Sequence, residues 1–121
     1  MILEYVIPGP PQPKERPRRD RRGRWYTPGA TKRYERHVKG CAVAAKMAHG
    51  ECWPMGAAYR VKMLVWFQDL RRRDLDNVVK AVLDGLNGVL WDDDSQVVEL
   101  SIGRAVDRDR PRVDVVVEVV R

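Results

Sequence analysis

The chain lacks the features that would cross-link it or seat it in a membrane. It has only two cysteines, Cys41 and Cys52, among 121 residues, too few for the disulfide framework of a small secreted domain. Reduced thiols in the cytoplasm are therefore expected. No apolar run approaches the roughly 18 residues of a membrane span. Met1 to Ile7 is too short for a secretory signal, carries an acid at Glu4 and meets Pro8 at once. Repeats and low-complexity linkers are absent as well. A zinc site can be drawn from His37, Cys41, His49 and Cys52, but the spacing matches none of the usual structural patterns, and the thiols are expected only to pack. A second independent core would not fit in 121 residues, so one domain spanning 1–121 is expected.

A hydrophobic fraction of 44% under a charged fraction of 33% excludes wholesale disorder. The formal charge of +6 suits a polyanionic partner, nucleic acid first and an anionic membrane second, although charge alone also serves solubility. Its distribution is more telling. Lys14 to Lys39 holds eleven basic residues against Glu15, Asp20 and Glu35, a net +8, so the rest of the chain is net acidic by two.

Ile2 to Ile7 reads as a strand, stopped by Pro8-Gly9-Pro10-Pro11-Gln12-Pro13, whose prolines remove backbone donors and fix φ. Strand termination is also the sufficient reason for those prolines. A basic loop at about 8–27 follows. Thr31 to about His49 is expected to be helical, with Tyr34, Val38, Cys41, Ala42, Ala45 and Ala48 on one stripe and Gly50 beyond it. Tyr59 to Gln68 alternates as a central strand with one buried face. Leu75, Val78, Val79, Val82, Leu83 and Leu86 keep the helical period behind Asp74, a good N-cap residue, with Gly88 as the stop. Gln96–Arg104 and Arg112–Val120 read as strands. The order fits a single α/β domain, a mixed sheet with two main helices packed on it.

The chemistry concentrates in Arg71-Arg72-Arg73-Asp74-Leu75-Asp76-Asn77 with Lys80, and in Asp92-Asp93-Asp94 further on. Two carboxylates one residue apart at a strand-to-helix junction can converge on a hard cation, and Mg2+ takes oxygen ligands completed by water and phosphate. The second acidic loop, at the far end of the helix, could fold back beside them. Lys80, one turn after Asp76, can reach that carboxylate or a phosphate oxygen. Simpler descriptions also fit: Asp74 as an N-cap, Asp76 and Lys80 as an i,i+4 surface pair, Asp92 to Asp94 as a solvated turn. Asp84 continues the Asp76 and Lys80 face and is expected to be a solvated helix acid, with a supporting role at the acidic site as the alternative. The three arginines beside the acids favour phosphate chemistry.

At Asp74-Leu75-Asp76-Asn77, Lys80 and Asp93-Asp94-Ser95-Gln96 the sequence resembles the RusA family of Holliday-junction resolvases. The likeness continues through Ala81 to Asn87, and in the amino-terminal Pro8-Gly9-Pro10-Pro11 exit with Lys14, Arg16, Pro17 and Arg18. It implies a RusA-like fold and a homodimeric, Mg2+-dependent endonuclease, with Mn2+ as a substitute, that nicks two strands of a four-way DNA junction symmetrically in recombination and repair. It further implies Asp74, Asp76 and Asp94 as metal ligands, with Asp93 as the fallback for the third, and Lys80 as the catalytic lysine. No small-molecule cofactor and no membrane are expected. The basic loop would then embrace DNA through Lys14, Arg16, Arg18 and Arg19, with Arg21, Arg22 and Arg24 as further phosphate contacts. Arg71, Arg72 and Arg73 complete the DNA-binding set. Trp25 and Tyr26 are expected to pack into the core at a short strand, with stacking on an unpaired base as the alternative. The competing functions are a branched-DNA nuclease of looser selectivity and a catalytically silent DNA-binding protein.

Overall fold

The computed structural model describes residues 1–120. Its elements run β1 (Ile2–Pro8), β2 (Arg18–Arg19), β3 (Trp25–Tyr26), α1 (Gly29–Ala48), β4 (Tyr59–Phe67), α2 (Leu75–Leu86), a single 3-10 turn (Asp94–Gln96), β5 (Val97–Val106) and β6 (Arg112–Val119). Four strands form one mixed sheet in the order β1-β6-β4-β5, while β2 and β3 make a separate hairpin. The expected α/β fold with two main helices is what forms, and β4 is internal as its alternation requires.

The sheet is covered on one face only. Tyr59, Val61, Met63, Val65 and Phe67 on β4 and Val113, Val115 and Val117 on β6 are buried beneath the helices, with Leu3 and Ile7 of β1. Alternate residues on the same strands, such as Arg60, Lys62, Asp114 and Glu118, face away from this core. From α1 come Tyr34, Val38 and Ala42, and from α2 Val78, Val79, Val82 and Leu86. At the lower end Trp53, Tyr59 and Trp91 pack ring against ring, and Trp53 donates to the Leu90 carbonyl at 2.8 Å. Gly88, at φ +80°, lets the chain leave α2.

β4 and β5 are parallel, so the chain between them must cross back, and α2 makes that crossing. The start of α2 thereby lies at the carboxyl ends of β4 and β5, and its finish at their amino ends. Both ends are fixed by contacts. Arg104, late in β5, donates to the Arg73 carbonyl just before α2, whereas Gln96, just before β5, donates to the Met55 and Ala57 carbonyls just before β4.

The basic segment is pinned to the same helix. The Lys14 amide donates to the Asn77 carbonyl at 3.0 Å, its ammonium binds Asp84, and Glu35 of α1 stands 3.7 Å away. Asp84 is thus not the solvated helix acid expected from the sequence. It is half-buried and anchors a residue seventy positions earlier. The bond to Asp84 raises the Lys14 pKa above the ordinary lysine value.

The two helices meet at Gly85, where a Cβ would lie 2.8 Å from Val38 Cγ1 and 3.0 Å from the Glu35 carbonyl oxygen. Gly85→Ala is expected to destabilise by about 1–3 kcal/mol, as overpacking does. Gly40→Ala, in α1 with open space around it, is expected to stabilise by about 0.5–1 kcal/mol. Urea denaturation midpoints of the two variants check the pair of signs.

Lys14→Met should cost about 1–2 kcal/mol at neutral pH, because it strands two half-buried carboxylates. A raised folded-state pKa means that the Lys14 contribution is complete at neutral pH and fades as pH climbs past the lysine range. Thermal melts of wild type and variant should therefore converge only in strong alkali.

Candidate active site

The turn from β4 into α2 is organised around Asp69. Its carboxylate accepts from the Arg71 amide at 2.9 Å and pairs with the Arg73 guanidinium at 2.7 Å, and these contacts, the Arg73 bond foremost, hold its pKa below the ordinary carboxylate value. Arg73 also lies 5.1 Å from the Phe67 ring centroid, with Arg104 at 4.9 Å from the same centroid. Only 13% of the Arg73 side chain is exposed. Arg73 is therefore part of the architecture of this turn. Arg71 reaches Asp69 at 3.8 Å yet stays 84% exposed, and Arg72 is exposed with no acidic partner among the described residues.

This turn delivers Asp74 to the N-cap position of α2 and Asp76 to its first turn. The Asp74 carbonyl accepts the first helical amides, from Asn77 and Val78, while its carboxylate caps no backbone amide and instead accepts from Asn77 Nδ2 at 3.3 Å. Asp76 is exposed and its carboxylate has no hydrogen-bond partner among the described residues. Both carboxylates thus keep open lone pairs at one helix end. Lys80 is exposed and forms no ion pair among the described residues, so the simple surface pair with Asp76 is not made.

The pinned Lys14 puts the basic arm beside these groups, since its amide is bonded to Asn77, the residue after Asp76. With its ammonium engaged by Asp84 and Glu35, Lys14 acts as the arm's anchor. Arg16 is exposed and unpaired among the described residues, and Arg18 pairs with Glu15 at 3.0 Å. The expected loop then folds into the β2–β3 hairpin. Asp20 ties its turn by accepting from the Arg22 and Arg24 amides, each at 2.9 Å, and from the Arg24 side chain, with Gly23 at φ +78°. Trp25 and Tyr26 sit on this hairpin and are exposed, Trp25 by 66%. The expectation that they pack into the core is overturned, because the two short strands have no hydrophobic layer beneath them.

The second acidic loop does not fold back within one chain. Asp94 opens the 3-10 turn at the amino end of β5, beyond the finish of α2, so the twelve residues of that helix, about 18 Å, separate it from Asp74 and Asp76. Among the described residues, no group of three acidic, histidine or cysteine side chains could hold a metal ion. The turn itself shows how its acids divide the work. Asp93 accepts from the Ser95 amide at 3.0 Å, and Gln96 Oε1 accepts from the Asp92 and Asp93 amides. The Ser95 bonds to its carboxylate, above all, hold the Asp93 pKa low. Asp94 is left with no side-chain partner among the described residues, which favours it over Asp93 as a ligand.

The sequence reading missed Arg104, because a lone cation on an edge strand carries no motif. Contact with Arg73 and Phe67 brings it to the start of α2. Arg72→Ala should weaken DNA binding several-fold with unchanged stability, whereas Arg73→Ala should lower the melting temperature. Fluorescence anisotropy and thermal melts on the two variants separate these roles.

Comparison with known proteins identifies the family of the chain. The chain is 45% identical over 47 residues to the uncharacterized protein YqaN of Bacillus subtilis (strain 168), a match covering 39% of this chain and 32% of that protein. It is 34% identical over 100 residues to the crossover junction endodeoxyribonuclease rusA of Enterobacteria phage 82, covering 80% of this chain and 78% of that one. Identity to the crossover junction endodeoxyribonuclease RusA of Escherichia coli (strain K12) is 32% over 98 residues, with the same coverage. The family model for endodeoxyribonuclease RusA matches residues 8–118, a span that runs from the exit of β1 through β6 and includes the basic arm, α2 and both acidic loops, and the chain belongs to that family.

Proposed function

We propose that this protein is a homodimeric, Mg2+-dependent endonuclease that resolves four-way DNA junctions in recombination and repair, and that each active site draws on both chains. The observation that carries the reading is the separation of the carboxylates. Asp74 and Asp76 stand beside the basic arm at one end of α2, while Asp94, whose carboxylate, unlike that of Asp93, has no partner among the described residues, lies past the other end.

The geometry of β5 supports a two-chain site. It pairs with β4 along one edge and leaves the other edge open over ten residues. Val98, Leu100, Ile102 and Val106 along it are exposed, an unprotected edge of the kind proteins usually cover. A second copy added antiparallel about a two-fold axis would reverse the strand. The amino end of one β5, with its Asp94, would then meet the carboxyl end of the other, next to Asp74 and Asp76.

Two carboxylates from one chain and a third from its partner, with water and phosphate oxygens, suit Mg2+ as a donor set. The bound ion would polarise the scissile phosphate and activate a water molecule. Asp74 and Asp76 orient the reacting phosphate's neighbourhood from a rigid helix start, and Lys80, one turn on and unpaired, supplies positive charge where the phosphate oxygens gain it. Arg16, Arg72 and the hairpin arginines hold the backbone on either side. Two sites related by the dimer axis match the near two-fold symmetry of a junction.

Mixing inactive variants tests this directly. Asp76→Asn and Asp94→Asn should each lose on the order of 100-fold or more in junction cleavage. A mixed dimer keeps one intact site, built from the unaltered ends of both chains, and should nick a single strand in magnesium but not in chelator. Absence of nicking from verified mixed dimers would refute the shared site. Equal cleavage of a linear duplex by the unaltered protein would instead indicate a looser branched-DNA nuclease, and no cleavage at all a silent DNA-binding protein.

A further inference from the structure

The hairpin carries a surface that phosphate binding does not explain. In the β2–β3 register Arg18 faces Tyr26 and Arg19 faces Trp25, so the two pairs occupy opposite faces of the ribbon. The Arg18 and Tyr26 face turns toward the body, where Arg18 bonds Glu15 and the Glu15 amide donates to Thr31 of α1 at 3.0 Å. The other face is outward. There Arg19 lies over the Trp25 indole at 5.1 Å from the ring centroid, and Trp25 is the most exposed aromatic residue in the chain. The other tryptophans are engaged: Trp53 and Trp91 are buried, and Trp66 donates to Asp114 at 2.8 Å.

A large aromatic ring held out on a ribbon is costly to leave in water unless something covers it. Its neighbours indicate what does. Arg21 and Arg22 in the turn of the same hairpin are exposed, and their side chains are unpaired among the described residues, which favours a polyanion over an apolar protein surface. The Asp20 bonds fix the turn, so little order is lost when the ring is engaged. Paired duplex presents base edges and phosphates, while the faces of its bases are already stacked. A junction's crossover is where base faces open.

We propose that Trp25, backed by Arg19, is a stacking platform for an unpaired base at the branch point, and that it contributes selectivity for branched over linear DNA. The proposal rests on the junction reading above. Base–aromatic stacking of this kind tolerates any base and is worth about tenfold or more in affinity. Trp25 would thus discriminate by shape, while the arginines supply affinity that both kinds of DNA share.

The test uses the full chain in chelator, so that nothing is cut. A four-way junction with 2-aminopurine beside the crossover is compared with a linear duplex of the same sequence. Trp25→Ala should lose about tenfold in junction affinity and little in duplex affinity, and it should abolish the 2-aminopurine change that the unaltered protein produces. Trp25→Phe, which keeps a ring face, should recover most of both. Unchanged junction binding by Trp25→Ala, or equal losses on both substrates, would overturn the platform. So would a change in oligomeric state that accounts for the loss, since the ring would then be a contact between protein chains. If the unaltered protein itself binds junction no better than duplex, the junction reading fails first.

Discussion

A lysine ammonium held by two carboxylates sets the position of the whole basic arm. The stretch from Lys14 to Lys39 carries a net +8, and its first residues follow a run of prolines that offers few backbone donors. Left to itself such a segment repels itself and stays extended. Lys14 closes it onto α2 through Asp84, onto α1 through Glu35, and by its own amide onto Asn77. The few acids in the segment act in the same sense: Glu15 restrains Arg18 and Asp20 knots the hairpin turn. Cations used for architecture are thereby set apart from cations left open, such as Arg16, Arg21 and Arg22.

That helix is the second fixed point. Gly85 allows α1 to pass so close that a methyl group would collide with Val38 and with backbone, and the parallel pairing of β4 and β5 dictates its direction. Everything attached to its two ends inherits their separation. The amino end holds two acids with open lone pairs, a half-buried Arg73 and the anchored arm. The carboxyl end leads through Trp91 to a hydrogen-bonded turn in which one acid is consumed and the next is spared. The acids in the sequence motif are thus not equivalent: Asp93 and Gln96 build the turn, and Asp94 is what the turn presents.

Much of this could be read from the residues. The alternation in Tyr59–Phe67 and the 3.6-residue spacing in Leu75–Leu86 identify a central strand and its covering helix, because burial on one face imposes those periods. The Asp74-Leu75-Asp76-Asn77 run and the Asp93-Asp94-Ser95-Gln96 run mark the family. Direction in space could not be read: the thirteen residues between Lys80 and Asp94 are compatible with a return to the same point or with arrival at the opposite one, and only strand polarity decides. The fate of Asp84 depends on a partner seventy residues away, beyond any local pattern. Trp25 and Tyr26 look like core residues in composition, yet what buries an aromatic ring is a layer beneath it, and a two-residue ribbon has none.

The open edge of β5 has a consequence for dosage. If cutting requires two chains to meet along it, the amount of competent nuclease at low abundance grows with the square of chain concentration, while single chains can still occupy DNA through their basic arms. A cell holding a few copies would carry a binder, and a cell holding many would carry a cutter. The enzyme would need no inhibitor to remain harmless while scarce, since dilution alone would restrain it.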